Sequence, residues 1–139
     1  MRDFEQIIEE LIKRQSVSFI GSVDECGFPN LKAMLPPRKR VGLKEFWFTT
    51  NTSSCRVTQY HINPKACVYF CDLQSFSGIQ LIGTMEVLED TLTKELIWRE
   101  HDTMYYPRGI TDPDYCVLKF SAHKGRYYEK FTSKEFPII

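Results

Sequence analysis

Three strand-like runs lie between Val17 and Thr50 with only turns between them, and this constrains the chain more than any other feature. Val17 to Val23 leads into Asp24-Glu25-Cys26-Gly27, a turn in which glycine supplies the unusual backbone angles. A second run from about Asn30 to Leu35 is closed by Pro36-Pro37, neither of which can donate to a strand ladder. The third runs from Glu45 to about Thr50. Parallel neighbours need a crossover of a dozen or more residues, so short connections like these favour an antiparallel sheet over a parallel one. Later runs fit the same reading: Ala66 to Cys71, Ile79 to Leu88, Tyr115 to Ala122 and, after a turn at His123-Lys124-Gly125, Arg126 to Lys130. Gly83, inside the fifth of these, marks a bulge or bend of the kind a closing sheet needs.

Helices are few. Phe4, Ile7, Ile8, Leu11 and Ile12 recur at helical spacing among Glu5, Glu9, Glu10 and Lys13, which predicts an amphipathic helix from Asp3 to Gln15. Asp3 is a fair N-cap. A second helix is expected from about Ser53 to Asn63, stopped by Asn63-Pro64, with Val57 and Tyr60 on its apolar side and Cys55 with Ile62 adding to it. A third is expected from Thr91 to about Asp102, with Leu92, Leu96 and Ile97 inward. The segment from Met104 to Asp114 reads as a long loop. The expected fold is a β-rich α+β domain, an antiparallel barrel of about six to seven strands with three peripheral helices.

At 139 residues the chain is read as one domain, residues 1–139. Eighteen lysines and arginines balance eighteen aspartates and glutamates, so the basic excess of a nucleic-acid binder is missing. Arg38-Lys39-Arg40 is accordingly read as a solvated loop. No apolar run reaches the length of a membrane span, and Met1-Arg2-Asp3-Phe4-Glu5 is unlike a signal peptide. Five cysteines, an odd number without a Cys-x-x-Cys, fit reduced thiols and a cytoplasmic location.

Catalytic constellations are scarce. Cys67 and Cys71 with His61 do not make a metal site, because residues four apart on a strand lie about 13 Å apart. Glu86 and Glu89 face opposite sides of a strand and form no acid–base pair. His101-Asp102 reads as a favourable charge contact at a helix end. No set of catalytic side chains or glycine-rich nucleotide loop is readable. One stretch remains: Phe48-Thr49-Thr50-Asn51-Thr52-Ser53-Ser54-Cys55-Arg56, a buried strand, a turn crowded with hydroxyls and a helix start beside a cation. These are the parts of a phosphate seat, although the same residues also cap a helix in the ordinary way.

The order of these motifs resembles the flavin-binding split barrels of the pyridoxamine 5′-phosphate oxidase superfamily, and most closely their small general-stress-protein branch. Ser22 through Met34 is similar to that family's strand, Gly-x-Pro turn and strand, with Lys32 three residues after Pro29. Phe48 to Arg56, Asn63-Pro64, and Gly83 followed by Met85-Glu86-Val87 complete the likeness, which spans about residues 5 to 130. The resemblance implies a homodimer with FMN in clefts between subunits. It implies a phosphate near Ser54 and Arg56 with Lys32 as second cation, and a flavin lined by Ala33, Met34, Leu35, Phe48, Thr49 and Thr50. Tyr127 and Tyr128 could add an aromatic contact from the partner subunit or simply pack in the core. The implied activity is hydride or electron transfer between NAD(P)H and a small acceptor; the alternative is a non-enzymatic flavin- or haem-binding protein, with His61 or His123 as haem ligand. FMN suits a single phosphate seat better than FAD or a deazaflavin. Cys55 stands where relatives carry a second cation, and the chain lacks the C-terminal Arg-x-His of the true oxidases, which argues against vitamin B6 oxidation.

Overall fold

The computed structural model describes residues 3–139. Helix α1 (Phe4–Arg14) starts where Asp3 Oδ1 accepts the Gln6 N–H at 2.8 Å, and it buries Ile8, Leu11 and Ile12. Eight strands follow: β1 (Ser18–Val23), β2 (Pro29–Met34), β3 (Lys39–Val41), β4 (Glu45–Asn51), β5 (Lys65–Asp72), β6 (Ser77–Leu88), β7 (Tyr115–Glu129) and β8 (Thr132–Pro137). Helix α2 (Cys55–Ile62) joins β4 to β5, and α3 (Thr91–Ile97) follows β6.

Every strand pair is antiparallel. The order is β2-β1-β5-β6-β7-β4-β3, with β8 added to β7. The sheet curls without closing: β2 ends it on one side, and β4 carries only the three-residue β3 on the other. Alternation places Ile20, Phe46, Phe48, Val68, Phe70, Ile79, Leu81, Met85, Leu118 and Phe120 inside the curl, where they meet the apolar stripe of α1. Side chains this large and wholly buried each stabilise by about 1.5–3 kcal/mol.

The corner is made at Gly83. The β6–β7 register slips there, Ile82 opposing Lys124 and Gly83 opposing Ala122, so His123 is left as the extra residue. A Cβ on Gly83 would stand 1.9 Å from the Ser121 carbonyl oxygen, so no side chain fits at this bend. The bend also corrects an expectation. His123-Lys124-Gly125 is no turn: β7 runs unbroken for 15 residues, its first half paired with β4 and its second with β8. Gly125 is needed because the Phe136 ring lies against it, 2.7 Å from where a Cβ would be. The reversal comes instead at Lys130 and Phe131, both at positive φ (48° and 64°), the two-residue hairpin geometry usually given to Asn and Gly.

The third helix is shorter than expected, ending at Ile97, and a 3₁₀ turn (Glu100–Met104) continues the chain. Leu92 and Leu96 point outward, at 81% and 55% exposure, while Lys94 and Ile97 face the sheet. In α2, Val57 and Tyr60 are buried as expected but Cys55 and Ile62 are exposed. No described helix is long and apolar enough to cross a membrane.

Candidate functional site

The opening in the sheet forms a cleft of about 320 Å³ lined by Lys32, Ala33, Met34, Leu35, Thr49, Thr50, Asn51, Arg56, Tyr105 and Tyr106. Its two long walls are strand edges. Among the described residues β2 pairs with β1 on one side and with nothing on the other. β3 covers β4 only from Glu45 to Trp47. Trp47 gives its carbonyl to the Arg38 N–H at 2.8 Å on that side, so by the two-residue repeat Thr49 turns its own N–H and C=O the same way, where no described strand meets them. The cleft therefore offers backbone hydrogen-bonding groups from a rigid sheet.

At one end lies the start of α2. Ser54 is the N-cap by its extended backbone, yet its hydroxyl caps nothing. Ser54 Oγ and Arg56 Nε are buried from solvent without hydrogen-bond partners, and Thr52 Oγ1 has only the weak Cys116 thiol near it. Arg56 Nη2 donates to Thr50 Oγ1 at 3.1 Å, which turns the guanidinium across the end of β4. Buried polar atoms left unsatisfied each cost about 1–3 kcal/mol, and several in one turn are a feature that a bound anion would relieve. Asp114 holds the turn in shape, its carboxylate accepting the Ser53 N–H at 2.8 Å and its carbonyl the Thr52 N–H at 2.7 Å. Tyr60 donates to the Gly21 carbonyl at 2.9 Å, and Ser22 bonds Gln59, so α2 is fastened to β1.

Of the residues singled out in the sequence, the fold brings Lys32, Ala33, Met34, Leu35, Thr49, Thr50 and Arg56 together in this cleft. Ser54 sits beneath its end, in the turn. Phe48 does not line the cleft; its ring is 1% exposed and belongs to the core. Tyr127 is also core, 5.6 Å centroid to centroid from Phe4. His61 and His123 are exposed and neither lines the cleft. Two lining residues were not foreseen, Tyr105 and Tyr106, while Asn51 comes from the stretch read as a phosphate seat. The tyrosines come from the long loop, and the readable signal for them was two adjacent aromatics in an otherwise polar stretch.

The basic triplet is another correction. Arg38 is buried, not solvated: its guanidinium grips Asp102 through two hydrogen bonds, 2.8 and 2.7 Å, and its Nη1 also donates to the Ile97 carbonyl at 3.1 Å. The side chains are 6% and 1% exposed. Asp102 therefore serves this pair as well as the start of the 3₁₀ turn, where it accepts the Arg99 N–H, and the guanidinium holds its carboxyl below the usual carboxylate range. Arg40 pairs with Glu9 at 2.9 Å.

Two larger hollows lie elsewhere. One of about 750 Å³ involves Phe19, Tyr69, Cys71 and Leu73, with Arg14 paired to Asp72. The other, about 670 Å³, lies where α1 meets the C-terminal residues Phe136 to Ile139. Neither contains the unsatisfied donors of the cleft. Among the described residues no three of His, Cys, Asp and Glu gather as metal ligands.

An open antiparallel barrel with its cleft at the split defines the class. The family described as pyridoxamine 5′-phosphate oxidase like matches residues 3–138, and the chain belongs to it. Among solved structures it is similar to a protein related to general stress protein 26 of the pyridoxinephosphate oxidase family from Clostridium acetobutylicum. The two share 41% identity and a TM-score of 0.89 over 97% of this chain and 94% of that one. General stress protein 26 from Bacillus anthracis shares the fold at 17% identity, with a TM-score of 0.78 over 96% and 98% of the two chains. A NimC/NimA family protein from Clostridium acetobutylicum does so at 18% identity, with a TM-score of 0.75 over 97% and 94%. No curated protein gives a significant match.

Proposed function

We propose that the chain is an FMN-binding flavoprotein of the general-stress-protein type, acting as an oxidoreductase between NAD(P)H and a small acceptor. The observation that carries the reading is the pair of unpartnered buried groups, Ser54 Oγ and Arg56 Nε, at the N-terminus of α2 in the cleft that also holds Lys32. A phosphate there would satisfy both and neutralise two cations. A planar ring would lie between the edges of β2 and β4, and Thr49 would meet its polar edge with its N–H and C=O. Bound FMN supplies the hydride and electron chemistry; the chain's own residues hold its phosphate, orient its ring and limit water.

The outer face of the sheet supports a homodimer. Ile20 and Val68 face inward, so their neighbours present Ala33, Phe19 and Tyr69 in one cross-strand row and Leu31, Gly21 and Cys67 in the next. Leu31 is 75% exposed, and an apolar outer face beside the cleft calls for a second copy that would complete the site. Five free thiols suit a reducing, cytoplasmic setting.

The test is the flavin content of the purified protein and of Arg56→Ala. Wild type should carry or take up FMN, and the variant should lose at least about tenfold in FMN affinity with an unchanged melting temperature. Equal retention in both would remove the residue assignment, and no uptake by wild type would remove the cofactor. Steady oxidation of NADH or NADPH with a quinone or nitro acceptor separates an enzyme from a flavin-binding protein that does not turn over.

A further inference from the structure

The geometry points to the buried Arg38–Asp102 pair as a positioning device that joins the loop wall of the cleft to its two strand walls and sets the grip of Tyr105 and Tyr106 on the planar ring of the ligand. It rests on the flavin reading above for the identity of that ring.

Each side of the pair belongs to a different wall. Arg38 follows β2 by way of Pro36-Pro37, whose rings fix φ and leave little play between Leu35 and the guanidinium. Its backbone N–H is bonded to the Trp47 carbonyl at 2.8 Å, which ties the same residue to β4. Asp102 carries the third wall. Its backbone carbonyl accepts the N–H groups of both Tyr105 and Tyr106, each at 2.9 Å, and its carboxylate also accepts the Arg99 N–H at 2.9 Å. The loop that holds the tyrosines is thus clamped at Asp102 by two charge-assisted bonds in the planar fork that only arginine makes. Tyr106 is pinned from behind by Tyr115, 5.0 Å between centroids, while Tyr105 is 55% exposed at the mouth. An ion pair of this cost is rarely needed for stability alone, since apolar residues of the same volume often do as well. Fixing one geometry is the best-supported use of such a pair.

The experiment compares riboflavin with FMN, since both carry the ring and only FMN carries the phosphate. Arg38→Lys keeps the charge but cannot hold Asp102 through two parallel bonds, and Asp102→Asn keeps the shape. Both variants should bind riboflavin and FMN more weakly by the same factor, about fivefold or more, whereas Arg56→Ala should weaken FMN alone. Amide exchange at Tyr105 and Tyr106 in the ligand-free protein should quicken by about tenfold in Arg38→Lys, with exchange in β6 and β7 unchanged. A purely structural pair would lower the melting temperature and leave both dissociation constants and the tyrosine amides as in wild type, and that result overturns the inference. So would a loss confined to FMN. If wild type binds neither flavin, the flavin reading fails, and the amide exchange still decides whether the pair positions the wall.

Discussion

The inside of the barrel and the layer between α3 and the outer face of β4 and β7 are both buried, but they are built from different chemistry. Inside, Phe46, Phe48, Phe70, Phe120 and their aliphatic neighbours meet α1 with no charge among the buried residues. Outside, Trp47, Ile97, Tyr106, Tyr115 and Val117 share their layer with buried Arg38, Asp102, Lys94 and Asp112. The inner set is held by area and shape, so many apolar combinations of the same volume would serve. The outer set is held by particular bonds: Arg38 to Asp102, Tyr115 Oη to the Lys94 carbonyl at 2.8 Å, and the Arg108 N–H to Asp112 at 3.1 Å. Desolvation pushes the Tyr115 hydroxyl up to about 12, so it stays a donor at any physiological pH. The difference teaches that the barrel carries the fold, while the polar layer positions the loop that lines the cleft.

The largest effect should come from breaking the inner region. Phe46 is fully buried, with the Phe70 and Phe120 rings at 5.9 and 6.2 Å. Phe46→Ala should cost about 3–5 kcal/mol in urea unfolding, because its neighbours on a curled sheet cannot close the space. A loss below about 1 kcal/mol would show an interior that repacks freely, and the contrast with the outer layer would narrow.

The same contrast explains what was legible in the sequence. Inner strands announce themselves by apolar alternation, and α1 by its stripe, because burial by area needs only the right residue type at the right period. Gly83 was readable as a bend because only a missing side chain permits that register slip. The β7–β8 hairpin was not, since Lys130 and Phe131 hold positive φ without the residues that normally advertise it. Arg38 and Asp102 lie 64 positions apart, and charges that far apart in sequence look like surface until the fold pairs them. Leu92 and Leu96 misled for the opposite reason: a seven-residue helix touches the sheet through one edge only, and the exposed edge happened to be apolar. In the cleft, the turn from Thr49 to Arg56 was legible because it is contiguous. Tyr105 and Tyr106 reach it from a loop whose path depends on the Arg38–Asp102 pair.

A middle-sized effect should follow from breaking that pair. Asp102→Ala strands a buried guanidinium and should cost about 3 kcal/mol at neutral pH. The joint replacement Arg38→Met with Asp102→Leu should recover most of that loss, since no charge is then left unpaired. The pair also predicts an acid dependence. Asp102 titrates lower in the folded protein than the ordinary 3.8, chiefly through its hydrogen bonds with Arg38, so the unfolded chain binds its proton first. Its stabilisation is therefore present above about pH 4 and is lost as pH falls through the folded value. Wild type should lose stability more steeply than the Met/Leu double variant below pH 4, as measured by melting temperature. Parallel acid profiles would mean that Asp102 contributes nothing through its charge.

The smallest effect should come from Lys94, and it sharpens the comparison most. Its side chain is buried at 8% exposure on the inward edge of α3, where a purely apolar layer would have placed leucine. Yet its contacts are weak: Nζ stands 3.4 Å from the Asp112 carbonyl and 5.2 Å above the Tyr115 ring. The stem covers apolar surface while the ammonium reaches the loop, as long basic side chains do at the edge of a core. Lys94→Met keeps the stem and removes the charge. It should change stability by no more than about 1 kcal/mol, the worth of one long hydrogen bond and a half-screened cation–π contact. The Tyr115 hydroxyl would keep its bond to the residue 94 carbonyl, because that acceptor is backbone. A loss of about 3 kcal/mol or more would place Lys94 with Arg38 as a buried charge the layer depends on. A gain would show that position 94 carries polarity the fold does not require, and would leave the Arg38–Asp102 pair as the polar contact that distinguishes this layer from the barrel interior.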